Sequence, residues 1–105
     1  MIVLGDHNFR ECTQSGFWVI DFWSPSCAPC RVVTPILEEL SQGLPEIQFG
    51  SVDATTALQS RFAFQISGFP TVVLLKDGRP VDLIFGPHPA RVYRSRIAAA
   101  SAAKP

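Results

Sequence analysis

The sequence has no excess of charge of either sign and no long apolar run. Nine Lys and Arg residues balance nine Asp and Glu residues in 105 positions, which argues against a global basic surface for nucleic acid or an anionic membrane. The longest apolar runs, such as 17–20 and 72–75, contain four residues, whereas a membrane-spanning helix needs about 20. We therefore expect neither a nucleic-acid partner nor a membrane contact.

The chain also lacks the cysteine content of a disulfide-stabilised secreted domain. Its three cysteines are too few, and odd in number, for such a scaffold. No basic segment followed by a long apolar stretch opens the sequence, so we expect no secretory signal. Both observations favour a cytoplasmic location.

What the sequence does have is enough apolar material for one core. Hydrophobic residues make up 47% of the chain and charged residues 17%, a composition typical of a folded globular protein. A chain of 105 residues has no room for a second fold. We predict a single domain over residues 1–105, acting as a monomer.

The apolar patterns predict five strands, of which the first is the weakest. The segment Phe17–Trp23 is aromatic and β-branched on both faces except at Asp21, which is typical of a central strand covered on both sides. The turn signal Asp77-Gly78 joins the last two strands as an antiparallel hairpin. The predicted strands are 1–4, 17–23, 47–52, 71–75 and 81–85.

Four helices are predicted between and after these strands. The first is capped by Asp6 and ends near Gln14, and the third is capped by Thr55 or Thr56. The apolar residues expected to face inward are Val32, Val33, Ile36, Leu37 and Leu40 on the second helix, Leu58, Phe62 and Phe64 on the third, and Val92, Tyr93 and Ile97 on the last. The last helix starts near Ala90, and 101–105 is expected to be a frayed tail. The result is an α/β fold with a central mixed sheet of four to five strands and helices on both faces.

Cys27 and Cys30 form a C-x-x-C motif, which fits a zinc site, an iron–sulfur site or a redox pair. The chain offers only the remote Cys12 and two scattered histidines, His7 and His88, as further ligands, and zinc usually takes four. A metal site and a purely structural pair are therefore the lesser alternatives. We expect Cys12 to be a small buried filler of the first helix.

The position of the motif favours redox chemistry. Cys27 follows a central strand and is predicted in the first turn of a helix, where free N–H groups and the helix dipole lower the pKa of a thiol. Cys30 lies one turn further into the helix. Such a pair can attack a substrate disulfide through Cys27 and resolve the mixed disulfide through Cys30.

Asp21 interrupts the apolar strand that leads to the cysteines. A carboxylate buried there is unfavourable without a partner, and its pKa should rise. One interpretation is an Asp near a strand end, hydrogen-bonded to neighbouring backbone. The interpretation that we favour is a buried proton acceptor beneath the pair, which helps Cys30 to lose its proton.

These segments together resemble the thioredoxin family. The strand Ile20-Asp21-Phe22-Trp23 followed by Cys27-Ala28-Pro29-Cys30 is similar to the active-site strand and helix of that family, and Thr34-Pro35-Ile36-Leu37 to its kinked helix. Gly68-Phe69-Pro70-Thr71 matches its cis-proline loop, and Gly78 and Gly86 also fit. The resemblance covers essentially the whole chain and implies the thioredoxin fold.

The resemblance assigns roles to individual residues. It implies that Cys27 is the nucleophile, Cys30 the resolving thiol and Asp21 the buried acid–base group. It also implies a cis Pro70 beside the cysteines and a Phe69 whose backbone pairs with the substrate. The residues implied to line a shallow apolar substrate groove, together with Phe69, are Trp23, Ser26, Ala28, Pro29, Phe85 and Gly86.

Three departures from the family pattern concern the surroundings of the cysteines. Ser26 stands where thioredoxins usually have Trp, and Ala28-Pro29 replaces the commonest Gly-Pro. The lysine that commonly pairs with the buried aspartate is absent, and the likeliest equivalent is Ser51. Without that cation the pKa of Asp21 should be higher than in the usual arrangement.

The sequence thus predicts a thiol–disulfide oxidoreductase that reduces disulfides in substrate proteins. It needs no bound cofactor and no metal, because the redox-active Cys27–Cys30 disulfide carries the electrons. An NADPH-dependent thioredoxin reductase is the implied electron donor. The alternatives are an oxidase or isomerase of an oxidising compartment, and a non-catalytic thioredoxin-like binding module.

Overall fold

The computed structural model describes residues 1–102 and contains five strands and four helices within them. The strands are β1 (Ile2–Leu4), β2 (Phe17–Trp23), β3 (Gln48–Asp53), β4 (Thr71–Lys76) and β5 (Arg79–Phe85). The helices are α1 (Phe9–Thr13), α2 (Cys30–Gly43), α3 (Leu58–Ala63) and α4 (Ala90–Ala102). The predicted order of elements is confirmed, including the doubtful first strand.

The strands form one mixed sheet in the order β1-β3-β2-β4-β5. β3 pairs in parallel with both β1 and β2, whereas β4 runs antiparallel to β2 and to β5. β2 is therefore bonded on both sides, with Asp21 opposite Ser51 on β3 and Val72 on β4. Because β2 is the middle strand, its carboxyl end and the cysteines that follow it lie at the centre of one end of the sheet.

Successive side chains of β2 enter two different cores, because side chains alternate between the faces of a strand. Ile20 and Phe22 pack with Phe9 and Ala57 in one core, on the face covered by α1 and α3. Val19 packs in the other core. That core receives Val33, Leu37 and Leu40 from α2 and Tyr93 and Ile97 from α4. Helices therefore lie on both faces of the sheet, as predicted.

The turn between β4 and β5 shows why its two residues are Asp and Gly. Asp77 and Gly78 have φ angles of 51° and 82°, the left-handed region that Gly and Asp tolerate best. Asp77 also exchanges hydrogen bonds of 2.9 Å with the backbone of Gly16, its N–H donating to the carbonyl and its carboxylate accepting from the N–H. The turn is thereby held against the start of β2.

The prediction that Asp6 caps the first helix is wrong. Helix α1 starts only at Phe9, and the Asp6 carboxylate accepts hydrogen bonds from the backbone N–H groups of Gln59 and Ser60 and from the Ser60 hydroxyl. Asp6 therefore stabilises the start of α3, 53 residues further along the chain. Neither Thr55 nor Thr56 takes that position, because the residue that precedes α3 is Ala57.

Three residues expected to face inward are exposed. Val32 on α2 is 62% exposed, and Leu58 and Phe62 on α3 are 46% and 65% exposed, although all three have the helical spacing of inward-facing residues. Helix α3 has only six residues and buries Ser60 rather than Phe62. The expected frayed tail is helical through Ala102, and the rest of it, 103–105, lies outside the described residues.

Gly50 on β3 provides a test of how tightly the sheet is packed. A Cβ at this position would lie 2.6 Å from Cδ1 of Leu4 and 3.2 Å from Cδ1 of Ile20, and overpacking of a core is destabilising. We expect Gly50→Ala to lower the free energy of unfolding by about 1 kcal/mol or more in urea titrations.

Gly43→Ala is the matched control, because a Cβ added at the end of α2 meets nothing within 4 Å. Its stability should be unchanged or raised by up to about 1 kcal/mol. An equal effect of the two substitutions would contradict the packing of Gly50.

Candidate active site

A tight turn connects β2 to the cysteines. The buried Ser24 follows the strand, and its carbonyl accepts a 3.1 Å hydrogen bond from the N–H of Cys27. Its hydroxyl lies 3.3 Å from that of Ser26 and accepts a 3.4 Å hydrogen bond from the Ser26 N–H. The turn therefore holds Cys27 at the edge of the sheet.

Cys27 and Cys30 form a disulfide whose Cα atoms are 5.4 Å apart. Cys27 is half-buried, whereas Cys30 is only 3% exposed. The prediction that Cys27 lies in the first helical turn is wrong, since α2 begins at Cys30 and Pro29 precedes it. The Cys30 N–H nevertheless donates a 3.2 Å hydrogen bond to Cys27 Sγ. The sulfur thus lies at the amino end of α2, where a thiolate is electrostatically favoured.

Asp21 is completely buried in the middle of the sheet. Its Oδ2 accepts a 2.6 Å hydrogen bond from the hydroxyl of Thr34, and its Oδ1 has no hydrogen-bond partner among residues 1–102. Burial raises the pKa of Asp21 to about 6. The Thr34 hydrogen bond opposes this shift and the nearby Glu38 charge adds to it. The interpretation of Asp21 as a strand-end residue bonded to backbone is therefore not the observed arrangement.

Thr34 connects the aspartate to the buried cysteine. Cys30 and Thr34 are four residues apart on α2, so their side chains lie one turn apart on the same face of the helix. The Thr34 hydroxyl in turn contacts the Asp21 carboxylate, so Thr34 lies between that carboxylate and the helix turn that carries Cys30. Sequence reasoning did not identify Thr34, although its i+4 spacing from Cys30 was available as a signal.

A cavity of about 400 Å³ opens beside the disulfide. It is lined by Trp23, Ser24, Pro25, Cys27, Cys30, Arg31, Thr34, Pro35 and Ser51. The Trp23 indole N–H donates a 2.8 Å hydrogen bond to the Ser51 hydroxyl, which holds the indole in place. The cavity therefore reaches from the half-buried Cys27 toward Thr34, the residue that contacts Asp21.

Ser51, the predicted equivalent of the missing lysine, takes the sheet position opposite Asp21. Its hydroxyl is engaged by Trp23 and carries no charge. The side chains that shift the pKa of Asp21 are Thr34 and Glu38, and neither is a cation. That the pKa of Asp21 lies above its value in the usual lysine-paired arrangement stays a prediction.

The loop before β4 contains a cis peptide bond between Phe69 and Pro70. Pro70 is buried and Phe69 is half-buried. The Pro70 carbonyl accepts a 2.9 Å hydrogen bond from the N–H of Gly86, and the ring of Phe85 lies against Gly68, where an added Cβ would come within 2.7 Å of it. The structure thus brings the predicted cis-proline loop together with Phe85 and Gly86.

The predicted groove residues fall into two sets. Trp23 lines the cavity beside the cysteines, and Ser26, Ala28 and Pro29 are exposed around the disulfide. The second set, Phe85 and Gly86, lies beside the cis-proline loop, and Phe85 is 62% exposed. Their joint role as a substrate groove stays a prediction. Sequence reasoning also missed Arg61, whose guanidinium carbon lies 5.0 Å from the centre of the Phe69 ring.

Other kinds of site have no support in the described part of the chain. Residues 1–102 contain no group of three or more His, Cys, Asp or Glu side chains that could hold a metal ion. None of the helices in the same range is long and apolar enough to cross a membrane. Cys12, predicted to be buried, is only half-buried and packs against the core that contains Phe9.

Comparison with known proteins agrees with this geometry. The sequence profile of the thioredoxin family matches residues 1–99. A thioredoxin of Staphylococcus haemolyticus is 36% identical over 92 residues, which cover 85% of this chain and 86% of that protein. A thioredoxin of Chlamydia pneumoniae is 33% identical over 84 residues, which cover 80% and 82% of the two chains. With its Cys27–Cys30 disulfide, the chain belongs to the thioredoxin family and is a protein thiol–disulfide oxidoreductase.

Proposed function

We propose that this protein works as a reductant of protein disulfides, with Cys27 as nucleophile, Cys30 as resolving thiol and Asp21 as proton acceptor. The observation that carries the proposal is the unequal burial of the two sulfurs. Cys27 is half-buried at the amino end of α2, whereas Cys30 is 3% exposed and lies one helical turn from Thr34, which contacts Asp21. Only Cys27 is accessible to a protein substrate.

The first step is attack by the Cys27 thiolate of the reduced protein on one sulfur of a substrate disulfide. The Cys27–substrate bond forms, the substrate S–S bond breaks, and the departing substrate thiolate takes up a proton. The Cys30 N–H that now donates to Cys27 Sγ would also stabilise the thiolate. This contact supports Cys27 as the nucleophile.

The second step resolves the mixed disulfide. Cys30 loses its proton to Asp21 and attacks Cys27 Sγ. The Cys27–Cys30 disulfide forms, and the second substrate thiol leaves as a thiolate that takes up a proton. Two electrons have then moved from the protein to the substrate. Asp21 suits this role because a pKa of about 6 leaves it ionised, yet able to accept a proton, near neutral pH.

Substrate binding is proposed along the cis-proline loop. The backbone of the half-buried Phe69 would pair with an extended substrate segment, as strands add to an exposed edge. The exposed ring of Phe85 and the indole of Trp23 would provide apolar contacts on either side. The rest of the proposed groove consists of Ser26, Ala28, Pro29 and Gly86.

The proposed electron donor is an NADPH-dependent thioredoxin reductase, and the proposed location is the cytoplasm. Two of the three cysteines form the redox pair and Cys12 is free, so the described chain has no disulfide that serves structure alone. That cysteine usage suits a reducing compartment. We propose that the protein acts as a monomer, because the two exchange steps need only Cys27, Cys30 and Asp21 of a single chain.

Replacing Cys30 with Ser should trap the intermediate of the first step. Cys30→Ser removes the resolving sulfur, so the disulfide between Cys27 and a substrate protein should accumulate and be recovered by non-reducing electrophoresis and mass spectrometry. Cys27→Ser is the matched control and should form no such adduct. Equal adduct formation through either cysteine would contradict the assigned roles.

Replacing Asp21 with Asn should slow the resolving step. We expect Asp21→Asn to lower turnover near pH 7 by about tenfold or more, since a positioned base is lost. In the unmodified protein the rate should fall as the pH drops through about 6, where Asp21 becomes protonated. That inflection should be absent in the variant, as measured by stopped-flow pH profiles; an unchanged rate and profile would remove Asp21 from the mechanism.

The stability of Asp21→Asn shows whether a slower rate results from the missing base or from a damaged fold. Because the pKa of Asp21 rises from 3.8 to about 6 on folding, its ionisation destabilises the folded state progressively as the pH rises between these values, by up to about 3 kcal/mol. Asp21→Asn should therefore unfold at higher urea concentration at pH 8. Below about pH 4 the two proteins should be alike.

The reduction potential tests the direction of electron flow. A reductant should equilibrate at a potential more negative than about −220 mV, whereas disulfide-forming proteins lie at about −180 to −120 mV. The measurement is equilibration of the Cys27–Cys30 pair with dithiol buffers, with mass-spectrometric quantification of both forms. A potential between about −180 and −120 mV would favour the oxidase or isomerase alternative. Separately, a Cys27–Cys30 dithiol that exchanges with no substrate disulfide would favour a non-catalytic binding module.

A further inference from the structure

The side chain of Arg61 is held in one place beside the cis-proline loop. Its guanidinium carbon lies 5.0 Å from the centre of the Phe69 ring and 5.9 Å from that of Phe62. Its Nε donates a 2.9 Å hydrogen bond to the carbonyl of Ile66. These three contacts define what we call the Arg61 clamp, which consists of Arg61, Phe62 and Phe69.

The backbone after α3 builds this arrangement. The Arg61 carbonyl accepts hydrogen bonds from the N–H groups of both Phe64 and Ile66, and Gln65 between them has a left-handed φ of 55°. The chain therefore reverses at Gln65 and returns past Arg61 toward Phe69. Both the main chain and the side chain of Arg61 hold the segment that leads to Pro70.

The charge of Arg61 is not neutralised within the described chain. Only Nε takes part in a hydrogen bond, so the two terminal amino groups have no acceptor among residues 1–102. The ion pair found in that range joins Arg96 to Asp82 and leaves Arg61 without an acidic partner. The half-buried guanidinium of Arg61 is thus held in place, and its two terminal amino groups contact no anion within residues 1–102.

We propose that the Arg61 clamp selects substrate proteins with an Asp or Glu side chain close to the disulfide that is reduced. The inference rests on the proposed function, because it assumes that substrate pairs with the backbone of Phe69. A segment bound there passes the ring against which Arg61 is stacked. Arg61 acts as a specificity-determining residue and takes no part in the exchange of sulfur bonds.

A carboxylate is the group that best fits the two unpaired terminal amino groups of Arg61. The two terminal amino groups of a guanidinium match the two oxygens of a carboxylate in a bidentate pair. Since the side chain is already immobilised, binding costs less conformational entropy than it would for a mobile arginine. The Phe62 ring, 65% exposed, provides an apolar surface beside the charge that excludes water when a substrate covers it.

The test compares Glu and Gln in otherwise identical substrates. The probes are end-blocked peptides with one intramolecular disulfide, in which Glu or Gln occupies each position within three residues of one cysteine. Pre-reduced protein is mixed with each peptide and acid-quenched, and its oxidation is followed by reversed-phase chromatography. We expect at least one Glu peptide to react about two- to fivefold faster than its Gln partner, the size of a partly exposed ion pair.

Variants connect this preference to Arg61. Arg61→Gln should remove the preference, so that each Glu peptide reacts at the same rate as its Gln partner, and Arg61→Lys should keep part of the preference. Arg94→Gln, which removes an exposed charge on α4, is the matched control and should keep it fully. The preference should also weaken in 0.5 M salt.

Two results would overturn the proposal while leaving the proposed function intact. One is equal rates for every Glu and Gln pair, and the other is a preference that persists in Arg61→Gln, which would place its origin in another cation such as Arg31. If no peptide of either series oxidised the reduced protein, the proposed function itself would be contradicted, and the role of Arg61 with it.

Discussion

The burial of the five central residues of β2, from Trp18 to Phe22, is the constraint on which the rest of the structure depends. This strand is bonded on both sides, and Val19, Ile20 and Phe22 have no exposed surface. A strand that is apolar on both faces is stable only when helices cover both, so α1 and α3 pack on one side and α2 and α4 on the other. The carboxyl end of β2 then becomes the fixed platform from which the chain turns through Ser24 to the cysteines.

The same burial gives Asp21 its chemistry. A carboxylate in a central strand is deprived of water, and here the partner that opposes the loss is the hydroxyl of Thr34 rather than a cation. Because burial raises the pKa of Asp21 to about 6, its ionised form destabilises the folded state at neutral pH. Ser51, opposite Asp21, is occupied with the Trp23 indole, so its hydroxyl fixes the cavity wall instead of compensating the charge.

Most of the fold and the centre of the site could be predicted, because they rest on local signals. The two-sided apolar pattern of β2, the Asp77-Gly78 turn and the C-x-x-C spacing each depend on neighbouring residues, and each prediction agrees with the structure. Two of the errors show where the tertiary structure overrides a local pattern. Asp6 looked like a local cap and Phe62 like a core residue, but the first is bonded 53 residues away and the second lies on the open face of a short helix.

The sequence by itself determined the redox pair, the buried acid and the order of strands and helices, since spacing and periodicity encode them directly. Only the tertiary structure decided which groups surround that pair. It placed Thr34 on the Asp21 carboxylate, made Cys30 the buried sulfur and stacked Arg61 on Phe69. The reason is that these contacts join different elements, so they depend on how the helices rest on the sheet and not on any local pattern of residues.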